Sequence, residues 1–195
     1  MRVSEEQLNQ MQNEQAENGQ TAESYANRGK DLEELIEQAN ERYRQTERAL
    51  VQKIPTPVKV LNINSQTGKI TNGFYEQKST VDYIGTFQGL PIAFDAKETS
   101  VKTRFDLSNV KRHQYEYLRD WKANGGVGFL VVFFKSRDEI YYLPFELLDK
   151  YWKEKRMGGR KSIPYKAIAR DGWLIGGNGL VLVDYLEVIE REVVG

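Results

Sequence analysis

Two aspartates and one lysine form the pattern in this chain with the clearest chemical meaning. Asp95 and Lys97 lie in the run 90–97, in which apolar and polar side chains alternate, and Asp82 stands thirteen residues before Asp95. The alternation predicts a β-strand that carries Asp95 and Lys97 on the same face. Two carboxylates and an ammonium group on one face of a sheet can bind Mg²⁺ and hydrolyse phosphodiesters.

A predicted β-hairpin brings the two aspartates together. The run 81–87 is also typical of a strand, and the Gln-Gly pair that follows it suits a two-residue turn. If Phe87 pairs with Leu90, the same register places Asp82 opposite Asp95, with their Cβ atoms roughly 5 Å apart. Carboxylates at that distance repel each other unless a cation lies between them, so the register favours a metal site.

An Asp-x-Lys tripeptide on a strand also has an ordinary explanation, which is a solvated face with a weak ion pair. The opposed Asp82 argues against it, because a register that stacks two carboxylates costs stability without any gain in packing. Pro91 cannot donate to a strand ladder, but beside a turn it is tolerated.

Composition restricts the class of protein. The chain has 195 residues, which fits one domain with a sizeable core. It has no cysteine and a single histidine, His113, which excludes disulfides, cysteine metal sites and multi-histidine zinc centres. No apolar run approaches the roughly 20 residues of a membrane span, and the polar, acidic start is unlike a signal peptide. We expect a cytoplasmic protein without a membrane partner.

The net charge of zero hides an uneven distribution. Residues 1–27 carry five Glu and one Arg in a segment rich in Gln and Asn, which predicts a disordered tail before a single domain over 28–195. The segment 150–170 carries eight Lys or Arg against Glu154 alone. Such a patch attracts a phosphate backbone, although a solvated helix face and loop would also explain it.

The spacing of apolar residues predicts an α/β fold with a mixed β-sheet flanked by helices. The first predicted helix begins near 29–31 and ends near 43, and further helices are predicted over 108–122, 145–155 and 185–192. Strands are predicted over 58–63, 81–87, 90–97, 127–134 and 139–143. Loops are predicted over 62–73 and 157–166.

Polar residues at the helix borders add candidates. Asp31 with Glu34 resembles a capping box at the start of the first helix. Glu33 lies at the border of that helix's apolar stripe, from which it could point toward the site. Gln114 is a polar residue on the otherwise apolar face of the second helix, as a buried amide bonded to backbone would be.

These residues resemble the RecU family, the Holliday-junction resolvases of the PD-(D/E)xK nuclease superfamily. The matching motifs span roughly residues 25–190: Asn27-Arg28-Gly29, Leu32-Glu33, Pro55-Thr56-Pro57-Val58, Ser79-Thr80-Val81-Asp82-Tyr83, Phe94-Asp95-Ala96-Lys97-Glu98-Thr99, Lys102-Thr103, His113-Gln114, Gly159-Arg160-Lys161-Ser162-Ile163 and Val183-Asp184-Tyr185.

The resemblance implies a restriction-endonuclease-like core and a Mg²⁺ site in which Mn²⁺ can substitute. The positions that match the family's metal-binding residues are Thr80, Asp82, Asp95 and Gln114. Lys97 matches the lysine that stabilises the transition state. Two departures stand out: Asp95 replaces the family's usual Glu, and the loop 64–69 lacks its usual Pro and Arg-Ser pair.

The resemblance also implies the partners. Because a four-way junction must be cut on two strands, one site per subunit predicts a homodimer, with a recombinase as a further expected partner. Arg160 and Lys161 are the predicted DNA contacts, with Arg28 and Lys30 next. Glu33 is a secondary catalytic candidate that would hold a water. Alternatives are a DNA-binding or strand-annealing accessory on a nuclease-like fold, or another Mg²⁺-dependent endonuclease of this fold.

Overall fold

The structure is a computed structural model that describes residues 31–75 and 80–194. The described helices are α1 (Leu32–Gln45), α2 (Arg112–Ala123), α3 (Phe145–Arg156), α4 (Tyr165–Asp171) and α5 (Tyr185–Ile189), which continues as a π-helical turn (Glu190–Val194). The strands are β1 (Ala49–Lys53), β2 (Val58–Ile63), β3 (Ile70–Tyr75), β4 (Tyr83–Phe87), β5 (Leu90–Thr99), β6 (Arg104–Asp106), β7 (Val127–Phe134), β8 (Glu139–Pro144), β9 (Ser162–Pro164) and β10 (Trp173–Leu174).

A mixed six-stranded sheet forms the centre of the fold, in the order β1-β4-β5-β7-β8-β10. The β5–β7 pair is parallel and the other pairs are antiparallel. The crossover from β5 to β7 passes through α2, as a parallel connection requires. The predicted α/β class, with a mixed sheet flanked by helices, is confirmed.

The β4–β5 hairpin has the predicted register, from Phe87 opposite Leu90 to Tyr83 opposite Phe94. Gln88 and Gly89 both have positive φ, 49° and 80°. Two left-handed residues in a two-residue loop suit the twist of the flanking strands, and this turn fixes the register.

The sheet is covered on both faces. Every residue of β7 is buried, as its unbroken apolar run predicts. On one face, α1 and α5 pack over Phe94 and Phe129. On the other, α2, α3 and α4 pack over Ala93 and Leu130. Because side chains alternate along β5, Asp95 and Lys97 point to the face of α2 and α3.

Several predicted boundaries are wrong. The run 58–63 is a strand, but it pairs only with β3 in a separate two-stranded hairpin. The strand beside β4 at one edge of the main sheet is β1, which the sequence did not reveal. The predicted loop 62–73 therefore contains most of β3. In the predicted loop 157–166, three residues form β9, which pairs with β6, and α4 begins at Tyr165. The hairpin strand begins at Tyr83 rather than 81.

The helix starts also differ from the predictions. α1 begins at Leu32, and Asp31 makes no side-chain capping bond. Instead the Leu32 N–H donates to Glu98 Oε1 of β5 at 3.2 Å. α2 begins at Arg112, four residues later than predicted, and its first turn is stabilised by Gln114.

Among the described helices, none is long and apolar enough to cross a membrane.

Candidate active site

Backbone N–H groups hold the carboxylates of Asp82 and Asp95 beside each other at the end of the β4–β5 hairpin. The Asp82 N–H donates to Asp95 Oδ1 at 2.8 Å, and the Ala96 N–H donates to Asp82 Oδ2 at 3.1 Å. Asp82 precedes the first ladder residue of β4, so these two bonds extend the pairing where the regular ladder stops. The predicted juxtaposition of the two carboxylates is present.

Lys97 lies beside both carboxylates. Its Nζ is 3.5 Å from Asp82 Oδ2 and 3.7 Å from Asp95 Oδ2. These distances allow attraction but exceed those of a charge-assisted hydrogen bond. The ammonium group therefore lies beside the pair without being tightly bound to either carboxylate.

Asp95 is fully buried and incompletely bonded. Its Oδ2 is one of two buried side-chain atoms without a hydrogen-bond partner in the described part of the chain; the other is the hydroxyl of Tyr83, on the opposite face of the sheet. Burial raises the pKa of Asp95 to about 7, while Lys97 acts to lower this pKa and the Asp82 carboxylate acts to raise it. A buried anionic oxygen with no donor is costly unless a cation approaches it.

Gln114 lies in the first turn of α2, which packs on the same face of the sheet as Asp95. Its side chain is buried, and its Oε1 accepts a hydrogen bond from the Lys111 N–H at 2.9 Å. This is the backbone-bonded amide that the sequence left open, and it stabilises the start of the helix. An amide oxygen has two lone pairs, so one remains for another ligand.

Thr80 and Glu33 are placed less closely. Thr80 is exposed, two residues before Asp82, at the edge of a described segment. Glu33 is on α1, which covers the opposite face, and its Oε2 accepts a hydrogen bond from Lys53 Nζ at 2.6 Å. No contact between Glu33 and either aspartate is present among the described residues.

The residues present fit a hard divalent cation. Within residues 31–75 and 80–194, no three His, Cys, Asp or Glu side chains are grouped so that they could together hold a metal ion. Mg²⁺ keeps several waters and is commonly held by one or two carboxylates with other oxygen ligands. Asp82 and Asp95 supply the carboxylates, and Asp95 Oδ2, which accepts no hydrogen bond, is an available metal ligand.

Comparison with known proteins places the chain in a family. The model of the family described as RecU, recombination protein U, matches residues 27–191. The chain belongs to the RecU family. Proteins named Holliday junction resolvase RecU are similar to it: that of Oenococcus oeni is 41% identical over 170 residues, 86% of each chain, and that of Oceanobacillus iheyensis is 37% identical over 170 residues, covering 86% of this chain and 87% of the relative.

A solved structure gives a more distant likeness to this RecU chain. Hjc of Archaeoglobus fulgidus, a Holliday junction resolvase, superposes with a TM-score of 0.39 and 10% sequence identity, covering 69% of this chain and 93% of that chain.

The predicted DNA contacts of the RecU chain are partly described. Arg160 and Lys161 are exposed in the loop after α3. The Lys161 carbonyl accepts from the Leu107 N–H at 3.0 Å, so the loop is tied to the segment that follows β5. Arg28 and Lys30 lie outside the described residues, as does the predicted tail 1–27.

A second buried aspartate in a RecU motif, Asp184, serves the fold. It accepts hydrogen bonds from Tyr43 Oη at 2.8 Å, Arg48 Nη1 at 2.7 Å and Asn178 Nδ2 at 2.7 Å. These bonds fasten the start of α5 to α1. The sequence flagged the motif but gave no sign of its structural role, because two of the three partners, Tyr43 and Arg48, lie more than a hundred positions away.

Proposed function

We propose that the protein is a divalent-metal-dependent endonuclease that resolves four-way DNA junctions by paired phosphodiester cuts. The observation that carries the proposal is the buried Oδ2 of Asp95, which accepts no hydrogen bond and lies beside Asp82 and Lys97, in a RecU-family chain. Relatives of similar length carry the name Holliday junction resolvase. Mg²⁺ is the proposed cation, with Mn²⁺ as a substitute.

The two aspartates would hold the metal. The Asp82 N–H fixes the Asp95 carboxylate, and the Ala96 N–H fixes that of Asp82, so each carboxylate is oriented by backbone rather than by a mobile side chain. Thr80 and Gln114 are proposed as additional oxygen ligands. When bound, a divalent cation neutralises a scissile phosphate and makes an attacking water more acidic.

Lys97 would stabilise charge on the phosphate. Its Nζ is shared at 3.5 and 3.7 Å between two carboxylates, so it can turn toward a third anion without breaking a short bond. A phosphate whose negative charge grows in the transition state is such an anion. Glu33 stays a secondary candidate for holding a water.

Arg160 and Lys161 are proposed to hold DNA by its phosphates. Replacing both with Ala is expected to weaken junction binding and to reduce the slope of log affinity against log salt by roughly 0.9 for each lost contact. Cutting at saturating protein is expected to survive, because the aspartates and Lys97 remain. An unchanged slope would remove this loop from the DNA-binding surface.

The decisive experiment compares a synthetic four-way junction, a fork and a linear duplex as substrates, with Mg²⁺, Mn²⁺ or EDTA. Metal-dependent, symmetric cutting of the junction in preference to the other two is expected. Asp82→Asn, Asp95→Asn and Lys97→Ala are each expected to abolish cutting and to keep binding. Equal cutting of all three DNAs would indicate another endonuclease of this fold, and binding without cutting would indicate an accessory protein.

A further inference from the structure

The helices α2 and α3 enclose a second basic surface, apart from the loop that carries Arg160 and Lys161. A cleft of about 260 Å³ lies between them. Four of its lining side chains are cationic: Arg112 and Arg119 from α2, and Lys155 and Arg156 from α3. Glu116 is the acidic residue that lines it, so the lining carries a net charge of about +3.

Aromatic packing builds the floor of this cleft. Tyr115 of α2 stacks on Trp152 of α3, with ring centroids 4.5 Å apart and planes inclined by 10°. Lys155 Nζ lies 4.6 Å from the centre of the Trp152 ring. The stacked rings hold the two helices together, and they fix the positions from which the cations on both sides project.

The cations are available to a ligand. Lys155 and Arg156 make no ion pair with any described residue. Arg112 pairs with Glu116 of its own helix, and Arg119 pairs with the neighbouring Asp120 at 2.8 Å. Both pairs are exposed to solvent, so they are weak and easily exchanged for a phosphate. Helix packing alone explains the stacked rings, but it does not explain four cations facing one cleft, where like charges repel each other.

The two helices that form the cleft pack on the face of the sheet to which the candidate active-site residues point. Tyr115 and Trp152 belong to the core layer that includes Ala93 of β5, and Asp95 and Lys97 share the face of Ala93. DNA whose phosphate is placed at Asp95 would therefore lie on the face that carries the cleft.

The size and chemistry of the cleft suit a run of phosphates. Arg112 and Arg119 are seven residues apart in one helix, which is about 10 Å along its axis. Each DNA strand carries one phosphate per about 3.4 Å of duplex axis, so cations spread over about 10 Å can contact more than one phosphate. Arginine also binds phosphate oxygens in a bidentate manner.

We propose that the α2–α3 cleft binds the phosphate backbone of a DNA arm, as a contact separate from the catalytic residues. This proposal rests on the proposed function, because it takes the DNA that the active site would cut as the ligand. It adds Arg112, Arg119, Lys155 and Arg156 to the DNA-binding surface.

A matched pair of double variants tests the cleft. The variant R119Q/R156Q removes two arginines from it, and R44Q/R191Q removes two exposed arginines from α1 and from the π-helical turn after α5. Binding of the full chain to a four-way junction and to a linear duplex is measured in EDTA at a series of salt concentrations. R119Q/R156Q is expected to weaken binding and to reduce the salt slope by about 1.8, while R44Q/R191Q keeps the parent slope.

A charge-conserving variant and a second polyanion complete the test. R119K/R156K is expected to retain the parent slope, and circular dichroism melts verify that each variant is folded. Polyglutamate is the second polyanion. If R119Q/R156Q keeps the parent slope for DNA, the cleft is not a DNA site, and a loss of polyglutamate binding by the same variant would show that the cleft binds other polyanions instead. Failure of the parent protein to bind or cut a junction would contradict the proposed function instead.

Discussion

At the scale of single residues, two buried aspartates show opposite arrangements. Asp184 is 2% exposed and has partners on both carboxylate oxygens, including Arg48. Asp95 is 0% exposed, and its Oδ2 has no hydrogen-bond donor. Fully satisfied groups stabilise a fold, whereas a buried unsatisfied charge costs about 1–3 kcal/mol or more. Asp95 is therefore expected to be retained for chemistry at a cost in stability.

The first prediction follows from that difference. Asp95→Asn is expected to raise the free energy of unfolding at pH 8 in EDTA by about 1–3 kcal/mol, because a neutral amide replaces a buried carboxylate that lies beside another. The gain is expected to shrink as the pH falls toward 4. Between pH 4 and the pKa of about 7, the folded protein keeps a proton on Asp95 that the unfolded chain has lost. The free energy of unfolding of the parent therefore rises relative to that of the variant as the pH falls through this range.

Thermal melts of the parent and the variant at several pH values measure this effect. About 1 kcal/mol corresponds to a shift of about 2–4 °C for a chain of this length. Asp184→Asn is the matched control, and it is expected to lower the melting temperature because it breaks the ion pair with Arg48. A variant Asp95→Asn that melts below the parent at pH 8 would show that the carboxylate stabilises the fold.

At the scale of elements, the sequence predicted what is local. The β4–β5 hairpin follows from alternation and a two-residue turn, so its register and the Asp82–Asp95 pair could be predicted across thirteen positions. The strand β1 could not be predicted in this way, because Val51 is its one buried residue and a single buried position gives no alternating pattern. The three-residue pair β6–β9 joins segments more than fifty positions apart, and the α2–α3 cleft likewise depends on tertiary packing.

The second prediction concerns the first turn of α2. Gln114→Ala is expected to lower the free energy of unfolding by about 1 kcal/mol, because the Lys111 N–H loses its acceptor. It is also expected to raise the Mg²⁺ concentration required for half-maximal junction cutting, since the proposal counts Gln114 as a metal ligand. Denaturant melts and a Mg²⁺ titration of the cutting rate measure the two effects separately.

Lys111→Ala serves as the control for Gln114, because it keeps the backbone N–H and the amide that accepts from it. It is expected to leave the Mg²⁺ midpoint unchanged. If Gln114→Ala loses stability and keeps the parent midpoint, the residue is a helix cap and not a metal ligand.

At the scale of the whole molecule, the two faces of the sheet have different contents. Asp184, Tyr43 and Arg48 form a closed network beneath α1 and α5. The other face carries Asp95, Lys97 and the basic cleft. The proposed metal site and the helices of the basic cleft thus share one face of the sheet, which is the face we expect to meet DNA.

The third prediction concerns the polar segment at the start of the chain. Deleting residues 1–26 is expected to leave the melting temperature and the cutting rate close to those of the full chain. The segment is too polar to bury apolar surface, and the family match begins at residue 27. Deleting residues 1–40 instead removes Leu32, Leu35 and Ile36 from the core and is expected to abolish folding. A large fall in melting temperature for the shorter deletion would show that the segment packs on the domain.

The last prediction concerns assembly. Each chain carries one Asp82–Asp95–Lys97 site, and two strands must be cut to resolve a junction, so we expect a symmetric homodimer. Light scattering should give about 45 kDa, twice the chain mass of 22.6 kDa. Parent protein mixed with excess Asp95→Asn protein should form mixed dimers that nick one strand and leave the junction unresolved, because each site cuts one strand. A protein that stays monomeric on junction DNA, or mixed dimers that still cut both strands, would rule out the symmetric mechanism.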